Sequence, residues 1–297
     1  WKLNKSMSKV AESASYGGYI YAIAVDDNYV YVGGATTQKV WKLNKSNLSQ
    51  VATSADYGGI IRAIAADDEF VYVGGTTTNR VRKLRKSDLS QVAESESYGG
   101  AIYAIATDDE FVYVGGGITQ TVRKLNKSDL SWMDESTSYG GTIYAIAVDD
   151  NYVYVGGYGT QTVWKLNLSK VAESANYGGG IRAIAVDDNY VYVGGDGPRT
   201  VKKLNKSNLS QVSESANYGG AIFAIVADDE FVYVGGTTQT VRKLRKSDLS
   251  RVVESASYGG DISAIAADAE FVYVGGTTQK VKVIENRDLI KIIRRYQ

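Results

Sequence analysis

Valine and tyrosine alternate through "YVYVG" at residues 29–33, so Tyr29 and Tyr31 fall on one side of an extended chain and Val30 and Val32 on the other. Apolar residues on both sides predict a strand covered on two faces. "IYAIAV" at 20–25 is a second such run. "VWKLN" at 40–44 and "SQVATS" at 49–54 mix apolar positions with Lys, Asn, Gln and Ser, which predicts wetter strands. The separators are Asp-Asp-Asn, a Gly-Gly-Ala-Thr-Thr-Gln run, a Lys-Ser-Asn-Leu run and Tyr-Gly-Gly, all turn compositions at hairpin spacing. In chain order these runs are strands A, B, C and D.

The four-strand unit recurs. Its central tyrosine returns at Tyr31, Tyr72, Tyr113, Tyr154, Tyr192, Tyr233 and Tyr273, in steps of 41, 41, 41, 38, 41 and 40 residues. The short step comes from "WKLNLSKVAES" at 164–174, which lacks three residues present in "WKLNKSNLSQVATS". A loop shortens this way without moving the strands beside it. Strand A carries small residues such as Ala22 and Ala24, while strands B and C carry Tyr and Trp. A sheet that is thin at one edge, bulky at the other and apolar on both faces is a wedge, and wedges packed side by side close into a ring. The expected fold is all-β, a seven-bladed β-propeller with four-stranded antiparallel blades.

The stretches "IYAIAVDDNYVYVGG" at 20–34 and "TVRKLNKSDLS" at 121–131, repeated with small changes along nearly the whole chain, resemble the repetitive propellers of YVTN and WD40-like type. That group includes repeat propellers of bacterial surface and phage tail proteins, so the resemblance implies a propeller fold and an extracellular or virion-surface setting. It implies no single activity, because propellers host many. The Trp-Asp dipeptide typical of WD40 blades and the signature of quinone-binding propellers are both missing.

Strands A and B occur seven times, whereas C and D read eight times, because "WKLNKSMSKVAES" at 1–13 is a bare C–D unit. The expected ring spans 1–279, with 1–13 closing the last blade as its C–D hairpin. Closure from both termini removes free sheet edges. Residues 280–297 then form a tail. Leu289, Ile292, Ile293 and Tyr296 recur at helical spacing, though 280–284 and 289–294 also read as C and D strands. Opening at Trp1, inside a repeat, is expected of a segment cut from a longer chain.

Composition narrows the chemistry. Lys plus Arg and Asp plus Glu both number 33, so no basic excess points to nucleic acid, and no apolar run is long enough for membrane insertion. Without cysteine there is no disulfide framework. Without histidine as well, a Ser-His-Asp triad, a thiolate nucleophile and a His- or Cys-ligated metal are all excluded. No cofactor and no metal is expected, and the chain reads as a non-enzyme.

The recurring Asp-Asp pairs, such as Asp26/Asp27 and Asp67/Asp68, read as caps of the A–B turn rather than as catalytic or calcium-binding carboxylates. The last repeat keeps only the first of the pair, Asp268 followed by Ala269. The Gly-Gly pairs Gly17-Gly18 and Gly33-Gly34 read as turns with positive φ. The second position of strand C holds Trp41, Arg82, Arg123, Trp164, Lys202 or Arg242 and reads as outer-strand packing.

Divergence between copies is one-sided. The A–B and C–D turns are nearly uniform, while the B–C loop changes from "GGATTQK" to "GGYGTQT" to "GGDGPRT". The start of strand A changes as well. Its second residue is Tyr21, Arg62, Tyr103, Tyr144, Arg182, Phe223 or Ser263. The D–A and B–C connections share one face of a propeller, and Tyr and Arg are types that binding sites favour. These seven residues are the candidate site, for a glycan or protein ligand. Two other readings stand beside this one: a carboxylate-dependent lyase or glycosidase, and a recently amplified or designed scaffold with no evolved ligand.

Overall fold

The computed structural model describes residues 7–286. They form seven four-stranded antiparallel sheets, with no helix among the described residues. Blade 1 consists of Ile20–Val25, Tyr29–Gly34, Trp41–Asn44 and Gln50–Thr53, hydrogen-bonded in that order. The expected boundaries hold to within a residue or two. Strand A of each blade packs against strand A of both neighbours, first blade with last, so the ring closes with strand A at the hub. The seven-bladed propeller read from the repeat is therefore the fold.

The core is seven layers, one between each pair of blades. In one of them Tyr31 and Val40 of blade 1 pack against Tyr57, Ile61, Val71, Val73 and Leu84 of blade 2. Residues facing both ways from strand B are sealed: Val30, Tyr31 and Val32 are all 0% exposed. Fully burying one such side chain stabilises by about 1.5–3 kcal/mol, and the layers repeat this around the ring. Strand D lies at the rim, where Val10, Val51, Val92, Val171 and Val212 are exposed at one repeated position.

The glycines divide into two kinds. Gly17, in the Tyr-Gly-Gly turn, has φ +88° and fits the expectation of a turn glycine. Gly33 and Gly34 do not, because they end strand B in ordinary extended backbone. Gly34 is small because a Cβ there would run into the Tyr19 carbonyl oxygen of its own blade, whereas the smallness of Gly33 serves the seam between blades. A Cβ on Gly33 would stand 2.5 Å from Ile61 Cγ2 and 2.8 Å from Ile64 Cδ1, both on blade 2. Across the closing seam, a Cβ on Gly275 would stand 2.5 Å from Ile20 Cγ2. Blades this close exclude even a methyl group at the position.

Closure differs from the expected C–D hairpin. The last sheet has the order Lys9–Glu12, Lys282–Glu285, Phe271–Gly276, Ile262–Ala267, so the N-terminal segment supplies strand D alone. Strand C comes from the C-terminal side, and the ring extends past residue 279. The reason is that 281–284 carries the strand-C pattern, with Val281, Val283 and Ile284 buried in the adjoining layers. Ser13 then clasps the joint: its N–H donates to the Val281 carbonyl at 2.9 Å, and the Val281 N–H donates to its Oγ at 2.9 Å. Glu12 pairs with Lys280 at 2.6 Å. Hydrogen bonds from Lys280 and then Lys9 hold the Glu12 carboxyl down to about 2. The helix read at 289–296 and residues 1–6 lie outside the described residues.

The turn aspartates cap the A–B bend. Asp26 Oδ1 accepts the N–H groups of Asn28 and Tyr29 at 2.9 and 2.8 Å, and Oδ2 accepts the Tyr31 hydroxyl at 2.9 Å. Asp268 makes the same contacts although Ala269 follows it. The first aspartate of each pair is thus committed to the turn, and the second stands exposed, as at Asp27, Asp68 and Asp109.

Candidate functional site

All seven candidate residues occupy one structural position, a β-bulge at the start of strand A. In blade 1, Ile20 pairs with Gly34 and Ala22 with Gly33, leaving Tyr21 as the extra residue. The same shift recurs in every blade, at Arg62, Tyr103, Tyr144, Arg182, Phe223 and Ser263. A bulge frees one side chain from the pleat and re-aims it, a common device beside functional sites. The two glycines opposite carry no side chain to compete for the space. The bulge therefore turns seven equivalent positions out of the blade-to-blade layers, and each is half-buried.

These side chains meet across blade boundaries. The Arg62 guanidinium carbon lies 4.0 Å from the Tyr21 ring centroid, and that of Arg182 lies 4.2 Å from the Tyr144 ring. Tyr103 and Tyr144 stand 5.3 Å apart, centroid to centroid. The result is a Tyr21–Arg62 pair and a Tyr103–Tyr144–Arg182 arc. Phe223 and Ser263 join neither group and, among the described residues, make no ring contact or side-chain hydrogen bond. Stacking of this kind contributes about 0.5–2 kcal/mol per pair and, more usefully here, holds long side chains in one orientation.

The two arginines differ electrostatically. Arg182 Nε donates to Asp196 Oδ2 at 2.8 Å, an ion pair with the B–C loop of its own blade. Among the described residues Arg62 has no ion pair, and its Nε is closed off from solvent with no hydrogen-bond partner. An unpaired guanidinium stacked on a ring is organised to take a carboxylate or another planar anion. Three apolar or aromatic side chains stand exposed on the same face, Tyr19, Ile118 and Tyr158, at 46%, 78% and 58%. Sequence reasoning marked the loops that hold them but not their role. For Ile118 and Tyr158 the signal was a single aromatic or aliphatic residue in a loop that is otherwise Gly, Thr and Gln, and for Tyr19 a residue that varies between copies after Tyr-Gly-Gly. Asp196 was missed likewise, because only the folded hairpin sets it beside Arg182.

The strand-C position behaves as packing. Arg82, Arg123 and Arg242 lie over Tyr57, Tyr98 and Tyr218, and Trp41 and Trp164 meet Tyr16 and Tyr139 edge to face. Each of these tyrosines also donates its hydroxyl to a backbone carbonyl near the end of the B–C loop, as Tyr57 does to Arg80 at 2.7 Å. A cavity of about 1140 Å³ is on the opposite face, over the A–B turns of blades 2, 3 and 4. No group of His, Cys, Asp or Glu among the described residues is arranged to hold a metal ion.

Comparison with solved structures agrees with this architecture. The WD40 beta propeller domain of Doa1 superposes with a TM-score of 0.82 at 14% identity, over 95% of this chain and 98% of that one. The computationally designed Ika8 protein superposes with a TM-score of 0.72 at 15% identity, over 95% of this chain and 100% of that one. At such identity the likeness is one of fold: the chain is a seven-bladed, four-stranded propeller. No family model and no curated protein matches the sequence.

Proposed function

We propose that this ring is a non-enzymatic binding module that engages a carboxylate-bearing protein or glycan through its D–A/B–C face. The observation that carries the reading is the set of seven bulged positions. The backbone device is constant, while the side chain it presents changes from blade to blade, and five of the seven are stacked into ordered Tyr/Arg groups. Arg62 supplies the open positive group, and the exposed Tyr19, Ile118 and Tyr158 supply apolar contact area around it. The turn carboxylates, the natural candidates for acid–base work, are tied to backbone N–H groups, which speaks for binding over catalysis. A surface or virion setting fits the resemblance to repetitive propellers.

The test is a glycan array and a pull-down with the whole chain, each repeated with the Arg62→Ala/Arg182→Ala double variant. Capture that falls at least tenfold in the double variant supports the proposal, and capture that is unchanged overturns it. One observation favours a second reading, a regular scaffold without an evolved ligand: the blades are nearly identical in sequence, and the computationally designed Ika8 protein superposes over 95% of the chain. No capture in either screen favours that reading.

A further inference from the structure

The seams on the A–B/C–D face are fastened by a two-way latch. A lysine from the C–D turn of one blade reaches the turn aspartate of the blade before it. The pairs are Lys86–Asp26 at 3.0 Å, Lys127–Asp67 at 3.1 Å, Lys206–Asp149 at 2.8 Å, Lys246–Asp187 at 2.9 Å and, across the closure, Lys45–Asp268 at 2.7 Å. Asn286 takes the place of the lysine at Asp228, with Nδ2 to Oδ2 3.2 Å. In return, a strand-C lysine donates into the same turn. Lys42 Nζ reaches the Lys86 carbonyl at 2.6 Å, Lys83 that of Lys127 at 2.8 Å, and Lys203 that of Lys246 at 2.6 Å.

The seam between blades 3 and 4 lacks both halves. The three-residue deletion leaves blade 4 with Asn167-Leu168-Ser169 where its neighbours have a lysine-bearing turn. Lys127 of the same blade donates to the Asp108 backbone carbonyl at 2.7 Å, but among the described residues no cation pairs with the Asp108 carboxylate, whose Oδ2 keeps only the Tyr113 hydroxyl at 2.8 Å. Lys124, the counterpart of Lys42 and Lys83, makes no hydrogen bond or ion pair among the described residues, and its Nζ lies 3.4 Å over the Phe111 ring. Tyr113 is 7% exposed, whereas its six counterparts are 0% exposed. Asp108, Phe111, Tyr113 and Lys124 all line the cavity of about 1140 Å³.

We propose that this open seam is a socket for a lysine-bearing peptide turn of a partner protein. The lysine ammonium would sit on Asp108, and a backbone carbonyl following it would accept Lys124. The occupant's chemistry is read from the protein itself, because Lys-Ser-Asn and Lys-Ser-Asp turns fill the same socket at other seams. The exposed carboxylates Asp68, Glu69, Asp109, Glu110 and Asp150 surround the opening and favour a cationic segment. The socket is on the face opposite the bulge positions and does not depend on the function proposed for them.

The test uses a fluorescent cyclic peptide containing Asn-Lys-Ser-Asn and the full chain, read by anisotropy at low salt. Binding that weakens at least tenfold with Asp108→Asn, and with a peptide whose lysine is replaced by norleucine, supports the socket. Asp67→Asn, at a seam already filled, is expected to leave binding unchanged. Inserting Lys-Ser-Asn after Asn167 rebuilds the missing turn and is expected to abolish binding while raising the unfolding midpoint. If Asp108→Asn does not fold, the norleucine peptide and the insertion variant decide. Equal binding of the lysine and norleucine peptides, equal binding by the insertion variant, or no binding at millimolar peptide overturns the proposal.

Discussion

Gly74→Ala puts the wedge argument to a direct test. Gly74 has no left-handed backbone, so alanine adopts its conformation freely, and stiffening the unfolded chain alone would stabilise by about 0.4–1 kcal/mol. Against this, the new methyl would stand 2.7 Å from Ile102 Cγ2 and 2.8 Å from Ile105 Cδ1. Both belong to blade 3, and Ile102 is completely buried, so neither yields without opening the seam. Overpacking of this kind costs about 1–3 kcal/mol. The expected net effect is a destabilisation of about 1–2 kcal/mol. Equilibrium urea unfolding, followed by far-UV circular dichroism and tryptophan fluorescence, measures it. Ile105→Val removes the methyl at 2.8 Å and alone costs about 0.5–1.5 kcal/mol. The two changes together are expected to cost less than their sum, by about 0.5–1 kcal/mol, because the second makes room for the first. A neutral or stabilising Gly74→Ala, with strict additivity in the double variant, would mean that strand B of one blade does not press on strand A of the next, and the packing account would fall.

Two further outcomes follow from hydrogen bonding and titration. Ser95 is 4% exposed and its Oγ accepts the Val81 N–H at 2.9 Å, tying the start of strand C to the end of strand D, so Ser95→Ala leaves a buried donor unpaired and is expected to cost about 1–3 kcal/mol in the same unfolding assay. For the turn aspartates Asp26, Asp67, Asp149, Asp187 and Asp228, burial works against ionisation, but hydrogen bonds from turn N–H groups, tyrosine hydroxyls and the neighbouring blade's Lys or Asn side chain outweigh it and leave each carboxyl below its ordinary value. A depressed folded-state pKa contributes stability that is present above the unfolded value of about 3.9 and lost as pH falls through the folded one. The urea midpoint is therefore expected to hold from pH 7 to about pH 5 and to fall below about pH 4, less steeply in Asp67→Asn. A midpoint independent of pH down to 3 would contradict the latch.

Much of the ring was legible because its instructions are local and repeated. The alternation in "YVYVG" set strand B and its double burial, the separators set the turns, and seven copies averaged out the ambiguity of any one. The candidate residues were found by the same comparison, since Tyr21, Arg62 and their counterparts vary within a constant frame. Their bulge was not legible, because a pairing shift depends on the strand opposite. Nor was the stacking, which joins residues about 40 positions apart on adjoining blades.

The sequence by itself determined the period, the four strands, the thin inner edge and hence a closed ring of wedges, because side-chain size and polarity act along the chain at short range. Tertiary structure alone decided the rest. It assigned strand C of the last blade to 282–285 and strand D to 9–12, a pairing across almost the whole chain that no local pattern encodes. It showed that Gly33 and its counterparts are small because the next blade's isoleucines occupy the space, not because the backbone turns there. And it turned a three-residue deletion in blade 4 into an unfastened seam in front of Asp108 and Lys124, since only packing says which charge on one blade was holding which on the next.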